Sequence, residues 1–249
     1  MKRVVYLLFA AGLFTGLSAA DENVLKTHAE LGYTNTAGNT ESQDLAGNLK
    51  MDYTLFSNGL RFVGNVLYSA NKNFDTNETA ATKSRWDAEL NYDYNFNKRW
   101  AFNYLAGGKG DKFSTYVYQA YTGPGAIWKA VKSDWNDLKL QANLLWSWDK
   151  YRDETLTDKN PNQYASWQVS LDYTYKISET SRFIQYLMYR SEFADTANYF
   201  AKSKTAVESK INGYLSLGVS YTVDYTNDKA DNIRSYSDRV LLAALIADF

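Results

Sequence analysis

Cysteine is absent from the 249 residues, and proline occurs only twice. The lack of cysteine excludes a disulfide framework, a thiol nucleophile and a thiolate metal site. There is also no excess of charge, because 27 lysines and arginines stand against 28 aspartates and glutamates, so the charge balance does not favour nucleic acid as a partner. Beyond the N-terminal segment no run of about eighteen apolar residues occurs, and we therefore expect no membrane-spanning helix.

The first twenty residues have the pattern of an export signal. Two basic residues precede an apolar stretch over 4–17, and small residues at 18–20 form a cleavage site. We expect cleavage there, which divides the chain into a signal peptide (1–20) and one large domain (21–249). No cysteine follows the site, so a lipoprotein anchor is excluded.

Apolar and polar residues alternate strictly between residues 84 and 108, apart from a short break at 97–98. Such alternation predicts a hairpin of two strands, each with one apolar and one polar face. The polar face carries Glu89 and Asp93, whose carboxylates would be costly to bury in a dry core. We therefore expect the apolar face to contact lipid and the polar face to line a hydrated lumen, the dyad pattern of an outer-membrane barrel.

The same alternation continues along the chain and predicts an all-β fold, a transmembrane antiparallel up-and-down β-barrel of about twelve strands. An even number is the rule for bacterial single-chain barrels. A soluble barrel such as a lipocalin is the alternative, but it would place apolar residues inside and charges outside. The predicted strands cover approximately residues 28–37, 44–55, 60–69, 84–96, 100–108, 115–128, 138–148, 165–176, 183–193, 205–211, 215–223 and 240–249.

The predicted connections alternate in length, which is expected when short turns lie in the periplasm and longer loops outside. The exception is the tight first turn at Gly38 and Asn39. Short connections fall at 57–59, 97–98, 132–137, 178–180 and 212–213, and longer ones at 71–83, 109–114, 149–164, 195–204 and 227–235.

One segment conflicts with a regular strand. Gly123, Pro124 and Gly125 lie in the middle of the sixth predicted strand. Because proline cannot donate a hydrogen bond to a central ladder, we expect a bulge or bend at this point.

Aromatic side chains fall near both ends of the predicted strands. Two such groups are typical of the girdles that barrels place at the two membrane interfaces. Phe249 closes the last strand, and a terminal aromatic residue of this kind is, by resemblance to barrels generally, a signal for the barrel-insertion machinery. The predicted girdle residues are Trp86, Tyr94, Phe96, Trp100, Trp128, Trp146, Trp148, Trp167 and Phe249.

Charged residues of both signs would point into the lumen. They either line a narrow aqueous pore for ions or small polar solutes, or pair with one another and fill the barrel as a closed scaffold. A twelve-stranded barrel lies between small filled barrels and wide porins, so size does not decide between these. We favour a filled or very narrow lumen, because opposite charges can pair. The lumen-lining residues are predicted to be Asp44, Lys50, Asp52, Arg61, Arg85, Asp87, Glu89, Asp93, Lys139, Asp172 and Lys176.

The sequence predicts no catalytic residue, no metal site and no cofactor. His28 is the only histidine, and a lipid hydrolase would need a serine beside it and a third group to orient it. Four carboxylates, Asp149, Asp153, Glu154 and Asp158, share one predicted loop, but their spacing matches no calcium loop. We expect this loop to be solvated and to contact lipopolysaccharide phosphates.

Three segments resemble one known family. They are GYTNTAGNTES at 32–42, GDKFSTYVYQAYTGPG at 110–125 and INGYLSLGVSYTV at 211–223. The chain is similar in these segments to the salt-induced outer-membrane proteins, the family DUF481, and the similarity extends over nearly all of the mature chain. The resemblance implies a barrel in the bacterial outer membrane, and it implies no activity and no functional residues.

The sequence thus predicts a non-enzymatic outer-membrane barrel with a structural or envelope-stress role. A narrow pore is the alternative, and a lipid hydrolase is less favoured. The expected partners are outer-membrane lipid, lipopolysaccharide and, during assembly, the barrel-insertion machinery, with no nucleic acid among them.

Overall fold

Twelve antiparallel strands, each paired with its neighbours in the chain, close into one barrel in which the last strand returns to the first. The computed structural model describes residues 23–36, 42–73, 78–153, 161–227 and 237–248. This confirms the predicted twelve-stranded antiparallel barrel, while the expected signal peptide lies outside the described residues. The strands are β1 (Asn23–Thr36), β2 (Ser42–Leu55), β3 (Asn58–Asn73), β4 (Glu78–Asn95), β5 (Trp100–Asp111), β6 (Tyr116–Lys132), β7 (Asn136–Tyr151), β8 (Asn162–Lys176), β9 (Ser181–Glu192), β10 (Tyr199–Lys210), β11 (Leu215–Asn227) and β12 (Ser237–Asp248).

The pairing register separates two faces along the whole barrel. Residues that lie directly opposite each other on paired strands point to the same face of the sheet. Phe62 pairs with Leu90 on one face and Arg61 with Asn91 on the other. Leu90 is 44% exposed, whereas Asn91 is buried. The apolar positions therefore face outward and the polar positions inward. Over the described residues, no helix is long and apolar enough to span a membrane.

Several strands extend further than their alternation predicted. The predicted loop at 71–83 is mostly strand, because β3 continues to Asn73 and β4 begins at Glu78. Likewise β7 continues to Tyr151 and β10 begins at Tyr199. The sequence reads ANKN at 70–73 and ETAATK at 78–83, so the alternation that marks the rest of each strand is missing there.

The turn between β2 and β3 lies at Phe56 and Ser57, rather than at the predicted 57–59. Phe56 has a φ of 53°, in the left-handed region that a bulky residue rarely adopts. The register that results places Arg61 opposite Asp52, with Nε donating to Oδ1 over 2.6 Å. This charge-assisted bond stabilises the observed turn against the Asn-Gly turn that the sequence favours.

The Gly-Pro-Gly segment does not form the expected bulge. Pro124 stays in register opposite Tyr104 of β5, and the register towards β7 is the same on both sides of the segment. The irregularities of β6 lie instead between Tyr116 and Tyr118 and between Lys129 and Val131. Pro124 has no N–H, and β6 tolerates it because only Gly123 and Pro124 lack partners in this part of the ladder towards β7.

The seam between β1 and β12 is the shortest ladder in the barrel. Among the described residues, these strands pair over 28–31 and 245–248. In contrast, β1 pairs with β2 along its entire length. The β1–β12 junction therefore relies less on backbone hydrogen bonds than the other strand junctions of the barrel do.

Candidate functional site

Ion pairs between distant strands run through the interior of the barrel. Arg85 of β4 contacts Asp224 of β11 over 3.0 Å and Asp238 of β12 over 3.6 Å. Lys202 of β10 contacts Asp87 of β4 over 3.6 Å and Asp224 over 3.7 Å. Lys202 and Asp224 lie on neighbouring strands, but β4 is not adjacent to β10, β11 or β12, so the contacts of Arg85 and Asp87 cross the barrel. They identify the inward face without ambiguity.

All eleven predicted lumen residues share that inward face by register. Asp52 contacts Arg61 at 2.6 Å and Lys50 at 3.4 Å within neighbouring strands. Glu89 accepts a hydrogen bond from Tyr121, and Asp93 accepts one from Asn103. Their role as the lining of a hydrated lumen stays a prediction. Among the described residues, the following predicted members form no ion pair: Asp44, Glu89, Asp93, Lys139, Asp172 and Lys176.

Apolar side chains also point inward, which the sequence analysis missed. Leu105, Tyr121 and Leu145 of β5, β6 and β7 form a fully enclosed cluster inside the barrel. The Tyr121 hydroxyl donates to Glu89 Oε1 over 2.5 Å. The one available signal was strand β9, where Ile184, Tyr186 and Met188 interrupt the polar face. Such interruptions indicate a filled interior rather than a weak strand.

Amide side chains line the wall beside this cluster. Asn103 donates to Asn91 over 3.1 Å, and Asn143 donates to Asn103 over 2.7 Å. Gln141 donates to Asn103 over 3.0 Å. Asn103 is completely buried. A network in which each amide has a partner can be buried without a large penalty, and it holds β4, β5 and β7 in a fixed arrangement.

Asp149 corrects the prediction of a solvated carboxylate loop. It lies within β7, is 1% exposed, and accepts a hydrogen bond from Tyr164 of β8 over 2.7 Å. Asp153 follows β7 and is exposed, while Glu154 and Asp158 lie outside the described residues. Asp149 is therefore an interior residue near the end of the barrel at which the longer connections lie.

A second interior cluster crosses the β1–β12 seam. His28 Nδ1 lies 2.6 Å from Asp248 and Nε2 lies 3.2 Å from Glu30. Glu30 also accepts from Lys204 over 3.0 Å. Both ring nitrogens thus contact carboxylates and neither contacts a hydroxyl, an arrangement that does not match a serine hydrolase.

The same cluster is the candidate metal position in the described part of the chain. Single ligand atoms of His28, Glu30 and Glu208 lie within 4.8 Å of one another. However, Lys204 already neutralises Glu30, and Arg182 donates to Glu208 over 2.5 Å. Since each buried carboxylate has its own cation, the cluster works as an ion-pair network that joins β1 to β9, β10 and β12.

The predicted girdle residues that the structure describes lie on the outward face. Trp100 and Trp128 stack with ring centroids 6.0 Å apart at the end with the short turns. At the other end, four rings on consecutive strands form a ladder, of which only Trp167 was predicted. The other members are Tyr189, Tyr199 and Tyr225, with centroid distances of 5.4, 5.3 and 5.6 Å along the row. Phe249 lies outside the described residues.

A closed barrel with apolar residues outside and paired polar residues inside defines the class of protein: a transmembrane-type antiparallel β-barrel. Within that class the chain belongs to the family described as "Protein of unknown function, DUF481", whose model matches residues 29–249. No curated protein matches the sequence.

Several solved barrels are similar to this chain at low identity. The NanC porin is 12% identical with a TM-score of 0.47, covering 90% of this chain and 98% of that one. The translocator domain of the autotransporter NalP from Neisseria meningitidis is 7% identical with a TM-score of 0.47, covering 100% and 94%. The KdgM porin is 10% identical with a TM-score of 0.43, covering 91% and 98%.

Proposed function

We propose that this protein is a bacterial outer-membrane barrel whose interior is closed by its own side chains and whose role is structural rather than catalytic. The single observation that carries the proposal is the set of side-chain contacts that cross the barrel between strands that are not neighbours in the sheet. An open diffusion pore would keep such strands apart with water between them.

The outward face supports a location in a membrane. Leu144 is 62% exposed and Leu241 is 73% exposed, and large apolar side chains are exposed around the whole circumference. In water a surface of this extent would drive aggregation, whereas in a bilayer it contacts acyl chains. Strands cross a membrane only when no backbone edge is left open, and the closed ring meets that condition. Outer-membrane lipid and lipopolysaccharide are the partners that this face would contact.

The interior supports closure at two levels. At one level, Glu89, Tyr121 and Arg190 form a chain of contacts from β4 to β9. At another position Arg85 and Lys202 connect β4 with β10, β11 and β12. Since the side chains in these contacts come from opposite walls, they occupy the space that a solute would need.

Conductance of the purified barrel in planar lipid bilayers tests this proposal. We expect no current steps above background for the wild-type protein, because the crossing contacts block the lumen. A double variant, Tyr121→Ala with Phe200→Ala, removes two rings from the blocked region and should produce measurable steps.

A matched pair of substitutions on the outward face, Tyr104→Ala with Phe102→Ala, removes rings of the same kind and should leave the current at background. Current steps of similar size in the wild-type protein and in the inward double variant would contradict a closed interior.

A narrow pore for ions or small polar solutes is the second candidate. The observation that favours it is the polar inner wall, where Asn91, Asn103, Gln141 and Asn143 could hydrate a passing ion. The same recordings distinguish the two, because a pore predicts steps in the wild-type protein. In cells, the structural role predicts sensitivity of the envelope after gene deletion without a defect in solute uptake.

A further inference from the structure

We propose that Lys109 and Arg190 form a binding site for a small oxyanion, a carboxylate or phosphate group, inside one end of the barrel. This site goes beyond the structural role, and nothing in that role requires it. Lys109 lies two residues before the end of β5, and Arg190 two residues before the end of β9. Both strand ends lead into the connections at 112–115 and 193–198, so the site lies towards that mouth of the barrel.

The two cations differ from most of the interior cations because they lack a carboxylate partner. Neither Lys109 nor Arg190 forms an ion pair with any described residue. An unpaired interior charge is unfavourable unless a ligand of opposite charge compensates it. The interior cations that do contact a carboxylate are Lys50, Arg61, Arg85, Arg182, Lys202 and Lys204.

The aromatic residues Phe200 and Tyr121 hold the two cations in one layer. The Arg190 guanidinium carbon lies 4.0 Å from the Tyr121 ring centroid and 4.8 Å from that of Phe200. Lys109 Nζ also lies 4.8 Å from the Phe200 centroid. Both cations therefore contact the same ring although they come from different strands, β5 and β9, which brings the two charges into one region of the lumen.

Donor groups without acceptors supply the second, independent observation. Arg190 is 3% exposed, yet its Nε and Nη1 have no acceptor in the described part of the chain. Buried donors normally have partners. A guanidinium fork matches the geometry of carboxylate and phosphate oxygens, so these groups identify the ligand chemistry.

Carboxylates lie in the same part of the barrel, but none of them is an ion-pair partner of the two cations. Asp149 is the buried carboxylate near the two cations, and its Oδ2 accepts from Tyr164 over 2.7 Å. Glu192, at the end of β9, accepts from Asn198 over 3.0 Å. None of these carboxylates forms an ion pair with Lys109 or Arg190, so the two cations lack a direct anionic contact, which an oxyanion ligand would supply.

The melting temperature of the refolded protein in detergent micelles tests the site. Sodium phosphate or sodium acetate replaces sodium chloride at constant ionic strength. A ligand that binds only the folded state raises the melting temperature in proportion to its occupancy. We expect a saturable rise with phosphate or acetate in the wild-type protein, and Arg190→Gln and Lys109→Gln should each weaken the apparent affinity by at least about tenfold.

Lys139→Gln is the matched control, because Lys139 is also an inward cation without an ion pair but lies near the opposite end of the barrel. It should leave the rise unchanged. If Arg190→Gln fails to fold, Lys109→Gln and Arg190→Lys carry the test, since the lysine keeps the charge and loses the fork. An equal rise in wild-type, Lys109→Gln and Lys139→Gln proteins, or no rise in the wild type, would overturn the proposal. The measurement requires neither conductance nor a membrane. A negative result would therefore overturn the oxyanion site and leave the closed-barrel proposal unaffected.

Discussion

Glycines at two positions determine how closely β6 approaches β7. A Cβ added at Gly123 would lie 2.0 Å from the Leu144 carbonyl oxygen, and one at Gly125 would lie 2.2 Å from that of Ala142. Real Cβ atoms do not approach oxygen so closely, so the strands would have to separate. The prediction of a bulge at the Gly-Pro-Gly segment was therefore wrong, and its two glycines instead allow β6 and β7 to approach closely.

Gly123→Ala should consequently destabilise the barrel. The added methyl group would push β7 away and disturb the Leu145 cluster, with an expected loss of about 1–3 kcal/mol in the free energy of unfolding. Gly213→Ala is the control, since no atom lies within 4 Å of a Cβ there, and its effect should stay within about 0.5 kcal/mol. Urea unfolding followed by tryptophan fluorescence measures both. Equal effects would show that the close approach is not rigid.

Individual inward residues were only partly predictable. Charged residues such as Asp87 and Arg61 are assigned to the inward face by alternation alone, because every second side chain of a strand points to the same face. Arg190 and Asp149 were missed because the alternation around them is broken by Tyr186 and Met188 or by the approach to a loop. Which inward residues meet across the barrel depends on strand order and stagger, and these are not local properties.

Individual strands are joined unequally, and the β1–β12 seam is the clearest case. Its ladder covers four residues on each strand, so the interior network around Glu30 contributes a larger share of the connection. Glu30 is buried and bridges His28 of β1 to Lys204 of β10. These side chains thus connect β1 to β10, which is three strands away in the barrel.

Glu30→Gln should therefore weaken the seam, because His28 and Lys204 both lose their contact with the Glu30 carboxylate. The expected loss is about 1–3 kcal/mol in the free energy of unfolding. Lys132→Gln breaks the exposed pair with Asp137 within the β6–β7 hairpin and should lose only about 0–1 kcal/mol. The fraction that keeps the compact, unheated mobility on gels across a urea series reports both values. A larger effect for Lys132→Gln would contradict the role of the network.

The number and type of the strands were predictable because apolar and polar residues alternate along ten or more positions of most strands. The strand ends were not predictable, since β3 and β4 continue into residues where this alternation is missing. The turn at Phe56 was displaced because the Arg61–Asp52 pair outweighs a local turn preference. Local sequence thus determines the elements, and contacts between them determine where each one ends.

The whole molecule has two different ends, which predicts its orientation. One end carries the connections at 56–57, 96–99 and 133–135, and the other carries the longer ones at 152–161 and 193–198. Since short turns face the periplasm in barrels of this class, the longer connections should lie on the cell surface.

The absence of cysteine makes this orientation directly measurable. Thr196→Cys, in the connection after β9, should react with a membrane-impermeant maleimide in intact cells. Glu179→Cys, in the turn after β8, should react only after the outer membrane is permeabilised. Both positions are exposed, so access to the reagent alone distinguishes them. The reverse pattern of labelling would invert the proposed topology.

The junction between the first and last strands has a consequence for biogenesis. His28 and Asp248, which meet there, are 220 positions apart in the chain. No cylinder can exist until translation has supplied nearly the entire polypeptide, and until then a growing sheet has two free edges that can pair with other chains. The entropy of ring closure is also greatest for this last contact. We therefore expect the unclosed chain to be prone to aggregation, and the docking of the last strand on the first is the step that removes both free edges.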